Sequence, residues 1–550
     1  MSELAGLTAL IIEPHAGMRA SIQGMLNGAS IARIEFAVSA GTAIRPLKQT
    51  EFDLVICEYD LGEGQDGQQL LEDLRHNNIM SAATIFIMVT AERTHEKVMS
   101  AAALGLNDYI LKPFTADMLI ERIVRAVEKR QALTRVRQLM EQGDLAAAID
   151  ASLQGEQQYP HYQPEFMRMR AEMHLALGEL AEAETVYQDL CATRAATRAR
   201  LGLAITLFMQ ERFEEAEALL RALIADQPQF LEAYDWLAKA QQALGRTADA
   251  QATLERVVSQ SPHALRRLRQ LGVVALDAGD VDTAHRAFQQ VVSKARFSEF
   301  REPEDHVRLV KTAIAKGEAA TVPSLIRELT KNLAGAGKTP ACRALAAAML
   351  HDHQGESEKA VEELQAAAAA CAEPVGISDE IKILLAQGCL ANGLEQQAIE
   401  VMTVVAGNAH TNGAMAKAMQ VFAEAGRDDL AQRVTRESKS QIVDLVSAGA
   451  KKARLGDYRG AVDLMSEAAA RLPGNPQVVF NAAVAALKCL DKEGWDAALG
   501  ERANTYIATA RRLDPCNPRM PLLANMYRDI LKKYAISQSY QQKPMSAGLA

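Results

Sequence analysis

A short motif recurs through most of this chain of 550 residues at an almost constant interval. Each copy begins with glycine or another turn residue and has alanine at its sixth position. The first five of these alanines are spaced 35, 33, 34 and 34 residues apart: Ala148, Ala183, Ala216, Ala250 and Ala284. A constant period of this length predicts an array of similar units, in which each unit buries its apolar side against the next.

Each unit has room for two amphipathic helices, and proline marks the end of the second one. Three of the first five units carry proline twelve residues after the alanine, at Pro160, Pro228 and Pro262, where a helix cannot continue. A period of 34 residues with two helices per unit resembles the tetratricopeptide repeat. The resemblance implies an all-α solenoid that binds other proteins along its surface.

The repeat continues less regularly toward the end of the chain. The same alanine position is filled by Ala360, Ala398 and Ala461. Degenerate units lie near Lys316 and Gly426, and a last unit ends at Pro515. We predict about ten helix pairs over residues 135–532, followed by a polar, disordered tail at residues 533–550.

The start of the chain has a different pattern, in which short apolar runs end beside polar residues. Four runs predict buried strands: Thr8–Ile12, Asp53–Cys57, Ile85–Thr90 and Asp108–Leu111. The polar residues at their ends are Glu13, Glu58, Thr90 and Lys112. Because ligands of a doubly wound parallel sheet gather at the carboxyl ends of its strands, we expect these four side chains to share one crevice.

Three longer segments carry a resemblance to a known family. They are MVTAE (Met88–Glu92), ALGLNDYILKPF (Ala103–Phe114) and DGQQLLEDLR (Asp66–Arg75). Together they resemble the receiver domain of two-component response regulators, from residue 7 to about residue 128. The resemblance implies an α/β doubly wound, flavodoxin-like fold. We therefore predict a receiver-like domain at residues 1–128, a helical linker at residues 129–134 and the repeat solenoid after them.

The resemblance also implies roles for the residues of the crevice. In that family an acidic pair after the first strand binds magnesium together with an aspartate after the third strand, which accepts a phosphoryl group. By position, Glu13 is the first of the acidic pair and Glu58 stands at the phosphoacceptor position. Thr90 corresponds to the switch threonine, Tyr109 to the switch aromatic residue and Lys112 to the phosphate-contacting lysine.

Two residues depart from the family pattern. Pro14 occupies the second acidic position and has no side-chain oxygen for a metal, so Glu13 and Glu58 would form only a weak magnesium site. The longer side chain of Glu58 displaces its carboxylate by about an ångström, which costs roughly a hundredfold in a reaction that depends on alignment. We expect an ion pair between Glu58 and Lys112, no catalytic residue and no required cofactor.

The acceptor position has an alternative, Asp60. Asp53 lies five residues before Glu58, which is the family spacing, whereas the distance to the Asp66–Gly67 pair favours neither residue. We place the extra residue in the glycine-rich loop GEGQDG, where an insertion costs little. Glu58 then stays at the end of the strand.

The predicted function is that of an intracellular two-component signalling adaptor, with an atypical receiver coupled to a protein-binding scaffold. One alternative is a response regulator that accepts a phosphoryl group from a histidine kinase on Asp60 or Glu58. A second alternative is a structural assembly factor. The expected partners are proteins, such as a sensor histidine kinase or another response regulator, and the sequence favours no particular oligomeric state.

Charge and hydropathy argue against other classes. A net charge of -9 and a pI near 5.8 argue against a nucleic-acid partner, and the basic groups Arg266–Arg269 and Lys451–Arg454 are predicted to be solvated helix faces. The acidic start MSELAGL and the lack of a long apolar run predict a cytoplasmic protein without a membrane span.

Two further motifs predict no site. The GAGKT segment (Gly335–Thr339) follows a predicted helix and not a strand, which argues against a phosphate-binding loop. His351 and His353 lie on different helix faces, which argues against a metal site.

Overall fold

The computed structural model divides the chain into two compact units, with the main break between Arg301 and Glu302. It describes residues 4–62, 64–81, 83–91, 108–141, 144–192, 196–296, 298, 300–372, 376–409, 412–514 and 517–534. Four predicted features lie outside the described residues: Glu92, residues 103–107, Pro515 and the tail beyond residue 534.

The first unit begins with a parallel sheet of five strands: β1 (Thr8–Ile12), β2 (Arg33–Ala37), β3 (Leu54–Glu58), β4 (Ile85–Thr90) and β5 (Asp108–Leu111). The strand order is β2-β1-β3-β4-β5, and every neighbouring pair is parallel. This is the doubly wound α/β fold that the sequence predicts. Only β2 is missing from the predicted strands; it lies at an edge and has three exposed residues out of five.

Three helices are described between the strands: α1 (Ala16–Gly28), α2 (Ala40–Gln49) and α3 (Gly67–His76). Asp66 begins α3 by accepting a hydrogen bond from the backbone N–H of Gln69 at 2.8 Å, which satisfies one of the otherwise unpaired donors of the first turn. Side chains of β1 alternate between two apolar clusters, since Ile11 belongs to one and Ile12 to the other. The sheet is therefore buried on both faces.

One continuous helix, α4 (Ala116–Glu141), passes through the predicted linker at residues 129–134. Its first half packs into the core of the sheet through Ile123 and its neighbours. Farther along, Nη1 of Arg130 lies 2.9 Å from Oδ1 of Asp53, at the start of β3. Helix α4 therefore contacts the sheet well beyond its own first turns.

The rest of the first unit consists of repeat helices: α5 (Leu145–Gln158), α6 (Gln163–Leu177), α7 (Leu180–Cys191), α8 (Ala196–Met209), α9 (Phe213–Asp226), α10 (Leu231–Ala243), α11 (Thr247–Gln260), α12 (Leu265–Asp277) and α13 (Val281–Ala295). The five predicted repeat alanines are all fully buried. Pro160, Pro228 and Pro262 each lie two residues beyond the end of a helix. The small residues and the prolines thus occupy the positions that the repeat pattern predicts.

The described part of the second unit is helical: α14 (Pro303–Ala315), α15 (Val322–Asn332), α16 (Thr339–Gln354), α17 (Ser357–Ala372), α18 (Asp379–Ala391), α19 (Glu395–Asn408), α20 (Asn412–Glu424), α21 (Asp428–Arg454), α22 (Tyr458–Arg471), α23 (Pro476–Glu493), α24 (Ala497–Leu513) and α25 (Met520–Lys533). Ala360, Ala398 and Ala461 are buried here as well. Among the described helices of both units, none combines the length and the apolar character that crossing a membrane requires.

The turn between the two helices of a repeat adopts a left-handed backbone. Eight glycines occupy it, with φ between 67° and 85°: Gly178, Gly245, Gly279, Gly317, Gly355, Gly393, Gly426 and Gly456. Between α8 and α9 the same position is held by Glu211, with a φ of 61°. Because a Cβ atom makes this conformation costly by roughly 1–2 kcal/mol, the turn selects glycine and Glu211 is strained.

Replacement of Glu211 by glycine should stabilise the protein. The left-handed strain is relieved, and the exposed Glu211 side chain contributes little packing, so we expect a gain of about 0.5–1 kcal/mol after the extra entropy of glycine is subtracted. Native-state hydrogen exchange of amides in α8 and α9 measures it. The matched control is Gly279→Ala, which should destabilise α12 and α13. Faster hydrogen exchange of the α8 and α9 amides in Glu211→Gly would contradict the inferred backbone strain at Glu211.

Candidate functional site

The four side chains predicted to share a crevice do lie at the carboxyl ends of neighbouring strands. Glu13 directly follows β1 and Glu58 ends β3. Thr90 ends β4, and its carbonyl accepts a hydrogen bond of 2.7 Å from the backbone N–H of Lys112, which follows β5. The strand order thus brings Lys112 beside two glutamates that are 99 and 54 residues away along the chain.

The ammonium group of Lys112 bridges the two carboxylates. Its Nζ donates to Oε2 of Glu13 at 2.8 Å and also to Oε2 of Glu58. The other oxygen of Glu13 accepts from the backbone N–H of His15 at 3.0 Å, and that of Glu58 from the backbone N–H of Asp60 at 3.2 Å. All four carboxylate oxygens therefore have a donor, although the two glutamates are only 1% and 7% exposed.

The pKa values of the three groups move in the directions that this geometry requires. Burial raises the pKa of Glu58, and the hydrogen bond and charge of Lys112 offset only part of that effect. Burial also acts to raise the pKa of Glu13, but hydrogen bonds from Lys112 and His15 outweigh it and lower the pKa. For Lys112, burial is outweighed by the two carboxylates, so its pKa is raised. The ammonium stays charged and holds the two acids together.

The donor set does not fit a magnesium ion. Pro14 offers no oxygen from its side chain, and Lys112 already donates to one oxygen of each carboxylate. A hard divalent cation needs several oxygen ligands in near-octahedral geometry, whereas here an ammonium group occupies the position between the two acids. Across the described residues, no group of three or more His, Cys, Asp or Glu side chains is arranged to hold a metal.

The other predicted site residues are placed around this ion pair. Asp60 is exposed in the loop after β3, where its Oδ1 accepts from the backbone N–H of Gly62 at 3.0 Å. Thr90 is 2% exposed at the end of β4. Tyr109 is half-buried in β5 and, like Phe300, packs against one of the two apolar clusters of the sheet. Glu58, and not Asp60, is the carboxylate that Lys112 contacts.

Helix α3 begins at Gly67, against the backbone of Glu58 and Tyr59. The backbone N–H of Gly67 donates to the carbonyl of Tyr59 at 2.7 Å. A Cβ atom at Gly67 would lie only 2.5 Å from the carbonyl oxygen of Glu58, so a residue larger than glycine would push the helix and the strand apart. The backbone that carries the site and the first turn of α3 are therefore in direct contact.

The basic group Arg266–Arg269 is not the solvated helix face that the sequence predicts. Arg267 is 1% exposed, and its guanidinium donates to both oxygens of Asp235 in α10, at 2.9 and 3.0 Å. A buried guanidinium is stable only with such paired, directional partners. The burial of Arg267 could have been predicted from its spacing, because it lies four residues before the buried Leu271 and seven before Val274 on the packed side of α12.

The two motifs rejected at the sequence level have ordinary partners. The GAGKT segment joins α15 to α16, and Nζ of its Lys338 lies 3.2 Å from Oε1 of Glu304. Nδ1 of His351 lies 2.7 Å from Oε2 of Glu356 at the following turn. The lysine is thus engaged in an ion pair of the repeats and the histidine in a hydrogen bond.

Comparison with known proteins agrees with this architecture. Residues 9–124 match the response regulator receiver domain, and residues 133–197 and 207–271 match the tetratricopeptide repeat. The chain is 31% identical over 120 residues to chemotaxis protein CheY-3 of Vibrio cholerae, covering 22% of this chain and 91% of that protein. Chemotaxis protein CheY of Pseudomonas aeruginosa is 30% identical over 120 residues, with 22% and 95% covered.

A solved tetratricopeptide repeat protein from Parabacteroides merdae is 16% identical, with 47% of this chain and 97% of that chain covered and a TM-score of 0.32. Over its first part, the chain belongs to the response-regulator receiver family, and tetratricopeptide repeats follow. The protein is a two-component signalling protein with a protein-binding repeat region.

Replacement of Lys112 by methionine should destabilise the sheet. It leaves two buried carboxylates facing each other without a cation, which we expect to cost about 3 kcal/mol. Native-state hydrogen exchange of amides in β1 and β3 measures the loss. The matched control is Lys48→Met, at an exposed lysine of α2, and equal protection in the two variants would contradict a structural role for the bridge.

The contribution of Glu13 to the free energy of unfolding should depend on pH. Its pKa in the folded protein lies below the usual 4.5, so the ionised carboxylate stabilises the fold above about pH 4.5 and this stabilisation is lost as the pH falls through the folded-state pKa. The difference in unfolding free energy between wild type and Glu13→Gln should therefore shrink as the pH drops below that value. Urea unfolding at several pH values measures it, with Glu35→Gln as an exposed control; a difference that grows toward acid would contradict the assignment.

Proposed function

We propose that this protein is a cytoplasmic adaptor of two-component signalling, in which an atypical receiver acts without phosphorylation and is coupled to a protein-binding repeat scaffold. The supporting observation is the bridge that Lys112 forms between Glu13 and Glu58. The ion pair occupies the position at which the family carries its phosphorylation chemistry. The receiver is thereby held in one arrangement by its own lysine.

Three physical features disfavour phosphoryl transfer to Glu58. The hydrogen bonds from Lys112 and from the backbone N–H of Asp60 engage both oxygens of this carboxylate and so weaken it as a nucleophile. Transfer also relies on a metal to neutralise the phosphoryl charge, and Pro14 removes one of the oxygens such a metal would use. The extra methylene of glutamate adds an error in position that such reactions tolerate poorly.

The repeats supply the interaction surface of the proposed adaptor. Solenoids of helix pairs expose long faces for protein ligands, and the described chain holds such pairs in both compact units. A sensor histidine kinase or another response regulator is the class of partner that a receiver-containing adaptor would meet. In this adaptor, the residues of the former phosphorylation site stabilise the shape of the receiver and couple its contacts to one another: Glu13, Glu58, Thr90, Tyr109 and Lys112.

The proposal predicts that the full-length protein does not take up a phosphoryl group. Acetyl phosphate with magnesium is the donor, and intact mass measurement is the readout. The expected result is no stoichiometric adduct on the wild-type protein, because the carboxylate is held by Lys112 and lacks a complete metal site. The reference variant is Pro14→Asp with Glu58→Asp, which restores the family residues and should acquire an adduct.

Single substitutions separate the alternatives. Stoichiometric uptake by the wild-type protein that disappears in Glu58→Gln would make Glu58 a true acceptor and end the proposal. Uptake that disappears only in Asp60→Asn would do the same in favour of the exposed aspartate. Circular dichroism of each variant ensures that a lost adduct does not come from a lost fold.

A further inference from the structure

One edge of the receiver sheet, formed by β2, faces solvent. β2 is the outermost strand in the order β2-β1-β3-β4-β5, and among the strands that the structure describes it pairs with β1 alone. Arg33, Glu35 and Phe36 are exposed, and Phe36 is 44% exposed although its side chain is aromatic. An edge strand with an exposed aromatic side chain is a template on which another strand can pair.

The backbone of β2 presents hydrogen-bonding groups along this edge. The carbonyl of Ala37 faces β1, because it accepts a hydrogen bond of 3.0 Å from the backbone N–H of Glu13. Successive residues of a strand direct their backbone groups to opposite sides, so those of Ile34 and Phe36 point away from β1. The exposed Ala32, directly before the strand, continues this alternation. The outer edge therefore offers donors and acceptors for a further short strand.

The side chains of this edge carry opposite charges two residues apart. Arg33 and Glu35 lie on the same side of the strand as Ala37, which belongs to the apolar cluster of Ile12. Charged residues commonly protect an edge from pairing, but an arginine and a glutamate at i and i+2 are complementary to a second copy of themselves. In the antiparallel register centred on Ile34, each Arg33 faces Glu35 of the other copy. The register centred on Glu35 places like charges opposite each other instead.

The other side of the strand carries its apolar side chains. Ile34 packs against the cluster that contains Ile11, and Phe36, two residues later, lies on the same side. In the register centred on Ile34, Phe36 lies opposite the small side chain of Ala32 and diagonal to Ile34 of the other copy. Diagonal neighbours of this kind are within reach of an aromatic side chain. Charge and shape therefore select the same register.

We propose that β2 is a dimerisation edge, on which a second copy of this chain pairs in antiparallel orientation with Ile34 on the two-fold axis. The backbone N–H of each Ile34 donates to the carbonyl of the other, and Phe36 and Ala32 exchange the same two bonds across the axis. Ion pairs between Arg33 and Glu35 lie on one face of the joined sheets, and Phe36 contacts Ile34 on the other. Because one patch serves both copies, the assembly closes as a dimer.

A dimer of this kind makes the proposed adaptor bivalent. Each copy carries one receiver and one repeat region, so two paired copies present every protein-binding surface twice. Two linked sites that engage one partner assembly raise the apparent affinity without any new contact. The inference goes beyond the adaptor function, because the edge pairs whether or not Glu58 accepts a phosphoryl group. Either proposal can therefore fail alone.

Analytical ultracentrifugation of the full-length protein measures the association. We expect a reversible monomer–dimer equilibrium with a dissociation constant on the order of tens of micromolar, because the contact is short and its ion pairs are exposed. At about 1 µM the protein is then monomeric. The edge is solvated at that concentration, and Glu35→Gln remains a neutral control in unfolding measurements made there.

Charge reversal tests the register. Both charged positions are negative in Arg33→Glu and positive in Glu35→Arg, so each variant places like charges opposite one another and should dimerise at least about tenfold more weakly. An equimolar mixture of the two variants restores both ion pairs and should form a heterodimer at least as tight as the wild-type dimer. The matched control is Arg436→Glu, which makes the same charge change at an exposed position of α21 and should dimerise as wild type does.

Hydrogen exchange locates the contact. Above the dissociation constant, the amides of Ile34 and Phe36 should exchange more slowly than at about 1 µM, because the new ladder occupies their N–H groups. A wild-type protein that stays monomeric at about 500 µM, wild-type affinity in either charge-reversal variant, or a mixture of the two that does not associate would each overturn the proposal. Exchange of amides in β1, β3 and β4 verifies in the same measurement that every variant is folded.

Discussion

The buried guanidinium of Arg267 fixes how the receiver and the repeats pack in the first compact unit. A cation without water must find its counter-charges at hydrogen-bonding distance, and this one finds Asp235 in α10 and Glu72 in α3. Its planar fork holds both carboxylates in defined directions. The receiver is thus joined to the repeats by a directional contact in addition to the covalent connection through α4.

Helix α3 connects this contact to the carboxylate site. Its first turn lies against the backbone of Glu58, and Glu72 in its middle reaches Arg267. In the carboxylate site, the ammonium group of Lys112 neutralises two acids. In the contact with the repeats, the guanidinium of Arg267 also neutralises two acids. Both sites hold two carboxylates around one buried cation, so the loss of either cation leaves like charges together in a medium that screens them poorly.

Much of the fold could be predicted from the sequence because local patterns suffice for it. Apolar runs predict β1, β4 and β5 with the bounds that the structure has, and the turn glycines and repeat alanines mark each helix pair. β2 has no such signal, since an edge strand with one buried residue lacks an apolar run. The meeting of Glu13, Glu58 and Lys112 was predictable once the strands were assigned to a parallel sheet, because parallel strands place their carboxyl ends at one edge.

The sequence by itself determined the two kinds of architecture and the residues at the strand ends, since repeat periodicity and apolar runs depend on neighbours along the chain. It could not determine the partners of Arg267. This arginine lies 195 positions after Glu72 in the chain, and a run of basic residues predicts solvent exposure until a second element covers it. Only the tertiary structure decides that, because charge pairing in a buried interface depends on which surfaces meet, and that depends on the packing of the whole unit.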